Sequence, residues 1–197
     1  MIYIVRHGQT QWNLQGKKQG WKDSPLTHKG IQQGFDISKL LDQTLRGTIH
    51  DYKVVISPLW RCQQFASIIC EQLGYDYKDC IIEQDLKEHG FGDWEGMTED
   101  EINTEYPGAW DDRLANRWHY VAPGEGGENY ETLFNRVNSV YQKYAEQDVV
   151  FVCHEMVSKV LRGIMLDMPT DEIPLQKHRQ NKIYIFDGNK ISEAEYV

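Results

Sequence analysis

Positive charge is scarce in this sequence. Its 21 lysines and arginines face 30 aspartates and glutamates, giving a formal charge of -9 and an isoelectric point near 5.2. That balance excludes a general affinity for nucleic acid or an anionic membrane, since both need net positive surface. An anionic ligand is left with one route, a local cationic pocket. Long apolar runs are also missing. No stretch reaches the roughly 18 apolar residues of a spanning helix. The apolar opening from Met1 to Val5 meets Arg6 at once, too short for the apolar region of a signal peptide. The expectation is a soluble, cytoplasmic chain without a membrane partner. Cys62, Cys70, Cys80 and Cys153 include no C-x-x-C pair, which argues against zinc or redox use and for reduced, mostly buried thiols. Repeats and low-complexity tracts are absent too. The 197 residues, 40% hydrophobic, suffice for one well-buried core and are few for two ordinary domains, so a single domain over 1–197 is expected.

What is present alternates. Short continuous apolar runs at Ile2–Val5, Val54–Ile56, Val149–Cys153 and Ile183–Phe186 read as strands buried on both faces. Between them the period changes to that of a helix, through Ile31, Phe35, Ile37, Leu40 and Leu41, then Cys62, Phe65, Ile69 and Leu73. The series Tyr130, Leu133, Phe134, Val137, Val140, Tyr141, Tyr144 keeps one apolar face over about four turns. A further helix from Val157 to Met165 follows the third strand. Thr27 is placed to cap the first long helix, and Ser57-Pro58 reads as a capping hydroxyl followed by a first-turn proline. The pattern predicts an α/β fold of three layers, a mostly parallel central sheet flanked by helices. The stretch from about 84 to 127, rich in Gly, Trp and acids, is expected to form loops and short helices walling a site.

Open α/β sheets bind ligands beyond the carboxyl ends of their strands. Here the first strand runs into Arg6-His7-Gly8, the second into Ser57-Pro58-Leu59-Trp60-Arg61, and the third into Cys153-His154-Glu155. A parallel sheet brings these to one edge. Arg6 and Arg61 offer planar forks of donors to a phosphate. Cationic neighbours keep an imidazole between them neutral, with a lone pair free to attack phosphorus. His7 is best placed as nucleophile, and His154 to stabilise charge on the transferring group. The leaving alkoxide needs a proton, for which Glu88 is the choice, with Asp93 and Glu95 competing. Asn13 and Gln19 read either as site residues or as loop stabilisers. His28, His50, His119 and His178 read as structural, and His89 stays open. Phe91 and Trp94 read as packing, and Glu128 as a first-turn acid favoured by a helix dipole.

Five blocks, in order, resemble the histidine phosphatase superfamily in its phosphoglycerate mutase-like branch: Arg6-His7-Gly8-Gln9-Thr10 with Trp12-Asn13; Gln19-Gly20 through Leu26-Thr27; Ser57-Pro58-Leu59-Trp60-Arg61; Leu86-Lys87-Glu88 with Phe91 to Gly96; and Gly126-Gly127-Glu128. The resemblance implies a phosphoglycerate mutase-like fold with the phosphoryl group on His7, surrounded by Arg6, Arg61 and His154. It implies Asn13, Gln19 and Gly20 as further phosphate contacts, Glu88 as proton donor, and no metal or other cofactor. Two positions depart from the family pattern. Glu155 stands where glycine is common and puts a carboxylate beside the site, and Asn129 replaces the serine after Gly-Gly-Glu.

Within this family type, three functions compete. A mutase calls for extra cations in the lid, whereas Thr98 to Gly126 carries Glu99, Asp100, Glu101, Glu105, Asp111, Asp112 and Glu125 against Arg113 and Arg117. That count favours a phosphatase acting on a small phosphorylated metabolite, with Arg113 and Arg117 on the substrate side beside Trp118, His119 and Tyr120. The rivals are a cofactor-dependent phosphoglycerate mutase and a weakly catalytic phospho-ligand binder. No pattern specifies the oligomeric state.

Overall fold

The computed structural model describes residues 1–196. Among them a six-stranded sheet forms from β1 (Ile2–Arg6), β2 (Lys53–Ile56), β3 (Ile81–Ile82), β4 (Val149–Cys153), β5 (Lys182–Phe186) and β6 (Ile191–Glu195), in the order β3-β2-β4-β1-β5-β6. The pairings β3 to β2, β2 to β4 and β4 to β1 are parallel, and β5 and β6 add antiparallel strands beside β1. The mostly parallel α/β expectation holds. The continuous apolar runs have the reason given for them: alternate residues bury on opposite faces. Ile2, Ile4, Phe151 and Cys153 enter one core with α6 (Tyr130–Tyr144) and α7 (Glu155–Met165). Tyr3, Val5, Val150 and Val152 enter the other with α2 (His28–Thr44) and α3 (Trp60–Leu73). Two strands lay outside the sequence reading. β3 is two residues long, and β6 (Ile-Ser-Glu-Ala-Glu) is an edge strand too polar to show an apolar run.

Local signals account for most helix boundaries. Thr27 accepts from the Gly30 amide at 3.0 Å and starts α2. In α6 the buried set Tyr130, Leu133, Val137, Val140 and Tyr144 repeats at three and four residues, the spacing of one helical face. The reading of Ser57-Pro58 as a helix start is corrected. The first α3 residue is Trp60, after a Leu59 cap without a side-chain bond; Ser57 Oγ meets the His154 ring at 2.6 Å and reaches no further along the chain than the Leu59 amide, at 3.3 Å. The orphan amides at this end are met from another segment, by the Asp23 carboxylate, which accepts from Trp60 N at 2.8 Å and Arg61 N at 3.3 Å.

The segment after β3 is loops and short helices, as expected, including α4 (Glu99–Glu105) and α5 (Ala109–Ala115). It has a small core of its own, with Phe91, Trp94, Ile102, Trp110 and Ala122 buried together. The packing role read for Phe91 and Trp94 is therefore what they have. A four-residue helix, Gln11–Leu14, lies between β1 and α2. No helix among the described residues is long and apolar enough to cross a membrane.

Candidate active site

Register brings three strand ends into line. Arg6 pairs with Cys153, so His7 and His154 follow side by side, and Ile56 pairs with Val152, so Ser57 follows level with Cys153, its hydroxyl reaching the His154 ring. The segment after His7 is then pinned by backbone contact: a Cβ on Gly8 would lie 2.4 Å from the Gly30 carbonyl oxygen, and one on Gly30 would lie 2.1 Å from that of Gln9. Glycine at both positions lets the start of α2 sit directly on the residues after His7.

A cavity of about 380 Å³ opens above this edge. His7, 3% exposed, is at its floor. Its Nδ1 lies 2.8 Å from the Gly8 carbonyl oxygen. Because a carbonyl only accepts, Nδ1 carries the proton and Nε2 keeps the lone pair. Burial, followed by the charges of Arg61 and Arg6, holds the imidazole well below its ordinary pKa and so neutral.

Arg61 is 1% exposed and held by one loop: its guanidinium donates to the carbonyls of Lys22 (2.8 Å) and Gly20 (2.8 Å) and to Asp23 Oδ1 (2.7 Å). Arg6 donates to the His178 carbonyl and pairs with Glu155 at 2.8 Å. The Nε–H groups of both arginines are buried without a partner, on residues that line the cavity. Buried donors of charged groups are costly to leave unmade.

Of the three candidate acids, Glu88 lines the cavity. Its carboxylate accepts from His89 N at 2.9 Å and Met156 N at 3.3 Å, and burial raises its pKa against the lowering effect of those amides and of Arg61. Asp93 is exposed. Glu95 is a loop tie, accepting from Trp21 N (2.8 Å), Lys22 N (3.0 Å) and Phe91 N (3.2 Å). Asn13 and Gln19 also line the cavity while serving the loop: Asn13 Oδ1 accepts from Thr10 N and Gln180, and Gln19 Oε1 from Ser24. The two amides thus hold the loop from the cavity wall. Gly20, at φ +54, has Glu95 where a Cβ would go.

His154 is fully buried and stands edge-on behind His7, ring centroids 5.2 Å apart, and it is absent from the cavity wall. His89, also buried, packs between Phe91 and Tyr130. His178 is structural in its ring, bonded to Ser158 and stacked edge-on to Tyr184, while its carbonyl holds Arg6.

The lid requires a correction. Its acids Glu99, Asp100, Glu101, Glu105, Asp111, Asp112 and Glu125 are all exposed and off the cavity wall, while Arg113 and Arg117 line it with Lys17 and Lys18. Net charge over a segment mixes outward and inward faces, so the count misjudged the wall. Arg113, 4% exposed, lies between the Phe91 and Trp110 rings, 5.1 Å from each centroid. Three residues that shape the site went unassigned in the sequence reading: Asp23, Arg136 and Gln180. Only Asp23 lies in a matching block, and none carries a local signal for its distant partner. Among the described residues no cluster of His, Cys, Asp and Glu is arranged to hold a metal.

By sequence the chain is similar to a 6-phosphofructo-2-kinase/fructose-2,6-bisphosphatase of Caenorhabditis elegans, 31% identical over 174 residues that cover 88% of this chain and 35% of the relative. It thus spans about a third of that relative's length. It is also similar to the 2,3-bisphosphoglycerate-dependent phosphoglycerate mutase of Bartonella tribocorum, 34% identical over 173 residues, 84% of this chain and 79% of the mutase. Among solved structures, the alpha-ribazole phosphatase of Shigella flexneri superposes with a TM-score of 0.79 at 25% identity, covering 100% of this chain and 94% of that one. Bacillus stearothermophilus YhfR superposes with a TM-score of 0.77 at 29% identity, covering 98% and 95%. With the histidine phosphatase superfamily (branch 1) model matching residues 2–192, the chain belongs to that superfamily.

Proposed function

We propose that the protein is a phosphomonoesterase, hydrolysing a small phosphorylated metabolite through a phosphohistidine on His7. The observation that carries this reading is the neutral His7, its Nε2 lone pair free, beside the two unpartnered guanidinium Nε–H groups of Arg6 and Arg61. In the first step Nε2 attacks phosphorus, the ester P–O bond breaks, and protonated Glu88 gives its proton to the leaving oxygen. In the second, Glu88 takes a proton from water, the hydroxide oxygen bonds phosphorus, and the P–N bond breaks to release phosphate and His7. Arg6 and Arg61 hold the charge on the phosphoryl oxygens in both steps. Contact from His154 to those oxygens requires its ring to turn from Ser57. As placed, it backs the nucleophile.

We take the whole chain as one catalytic unit with 84–127 as the substrate-side wall, working in the cytoplasm. The free cysteines suit that setting. Lys17, Lys18, Arg113 and Arg117 suit a leaving group that bears a second anionic group, and two of the relatives are named for bisphosphates. The same wall supports the second reading, a phosphoglycerate mutase, because the lid's acids face away from the cavity. Acid quench after mixing with labelled substrate should trap an acid-labile, base-stable phosphoenzyme in wild type and none in His7→Ala. Equal labelling of both would refute the mechanism. Phosphate release from a panel including fructose 2,6-bisphosphate, run against isomerisation of 3-phosphoglycerate primed with 2,3-bisphosphoglycerate, separates hydrolase from mutase.

A further inference from the structure

Arg136, on α6, faces away from the cavity yet is fully engaged. Its Nε donates to Glu128 Oε1 at 2.9 Å and one terminal nitrogen to Glu128 Oε2 at 2.8 Å. That same nitrogen donates to the carbonyl of Glu88 at 2.9 Å, and the other to the carbonyls of Asp85 and Lys87, each at 2.6 Å. The five N–H groups of a guanidinium thus meet five acceptors, three of them on the segment that carries Glu88. Glu128, 6% exposed, closes the other side by accepting from Gly90 N at 2.9 Å, while its own amide donates to the Gly90 carbonyl at 3.0 Å. The residues from Lys87 to Gly90 belong to no helix or strand, so their polar backbone groups have no ladder to satisfy them. The ion pair stands in for one.

From this geometry we infer that Arg136 and Glu128 form a positioning pair for the general acid, fixing the backbone on both sides of Glu88 so that its carboxyl meets the leaving oxygen. The inference rests on the assignment of Glu88 as that acid. Lysine cannot replace the arginine, because one ammonium cannot span three carbonyls and a carboxylate in a plane. Neither residue lines the cavity. Their effect is confined to the step that needs the proton, and it depends on the leaving group.

The test compares kcat/KM across phosphate monoesters, from aryl esters whose phenolate leaves unprotonated to alkyl esters whose alkoxide does not. The proteins are wild type, Glu88→Gln, Arg136→Lys, Arg136→Met and Glu128→Gln. Glu88→Gln sets the reference, with a loss of roughly 100-fold or more on alkyl esters and little on activated aryl esters. Arg136→Lys and Glu128→Gln should reproduce that leaving-group dependence in weaker form, about tenfold, and shift the basic limb of the pH profile. An even loss on all esters, with an unmoved pH profile, would show a merely structural pair and overturn the inference. If Glu88→Gln is itself indifferent to the leaving group, the acid assignment fails first, whatever Arg136 does. Should Arg136→Met unfold, Glu128→Gln, which keeps the side-chain volume, still decides between these outcomes.

Discussion

Glu155 sets the charge beside His7. Its carboxylate bridges Arg6 at 2.8 Å and Lys159 at 3.2 Å. Burial alone pushes its pKa up, but Arg6 and Lys159 outweigh this and hold it below the usual carboxylate range. An ionised acid therefore already engages one of the two arginines proposed to bind phosphate. Glu155→Gln should release that guanidinium and tighten inhibition by inorganic phosphate roughly fivefold. A phosphate inhibition constant unchanged from wild type would show that Arg6 binds the anion regardless. At Glu88 the raised pKa has a sign that can be read in activity. The proposed mechanism needs Glu88 protonated and His7 neutral, so kcat/KM should fall as pH rises through the Glu88 pKa. In Glu88→Gln that limb should vanish from the profile.

Among the elements, the amino end of α3 does two jobs through one partner. Asp23 satisfies two orphan amides of the helix and grips Arg61, so helix stability and anion binding are linked. Asp23→Ala should lower unfolding free energy by about 1 kcal/mol, the usual size for a lost cap, and also raise KM. Urea melts and steady-state kinetics measure the two effects. A second prediction concerns α2. Alanine normally stabilises a helix relative to glycine, but a Cβ at Gly30 would lie 2.1 Å from the Gln9 carbonyl oxygen. Gly30→Ala should therefore destabilise the protein by about 1–3 kcal/mol and impair turnover, because the displaced backbone, at Gln9, lies two residues beyond His7. An increase in melting temperature would contradict the backbone contact.

Over the whole molecule, His7, His89, His154 and His178 are all buried, and burial is the largest cause holding each well below the ordinary imidazole pKa. In the unfolded chain they protonate near pH 6.5. Below that pH the unfolded state binds protons that the native state refuses, so stability falls as pH falls, by up to about 1.4 kcal/mol per pH unit for each histidine. Glu88, with its raised pKa, acts in the opposite direction, one group against four. Thermal melts between pH 7.5 and 5.5 should show a steady loss of melting temperature. A flat profile would mean that these rings accept protons in the folded state.

The sequence by itself determined the layers of the fold and the end of the sheet where the site lies. Apolar runs buried on both faces, and the helical period between them, are local patterns, and Arg6-His7, Arg61 and Glu88 fall at their ends or within recognisable blocks. Only tertiary structure decided what depends on distance in space. Ser57 looked like a helix cap, but its hydroxyl meets the His154 ring from the neighbouring strand end. Glu128 looked like a first-turn acid, yet it pairs with Arg136. The acids of 98–126 looked like the wall of the site, but each side chain's direction, hidden in a charge count, turns them outward. Backbone periodicity is written in neighbouring residues, whereas burial, partners and the sign of a pKa shift come from groups brought together by folding.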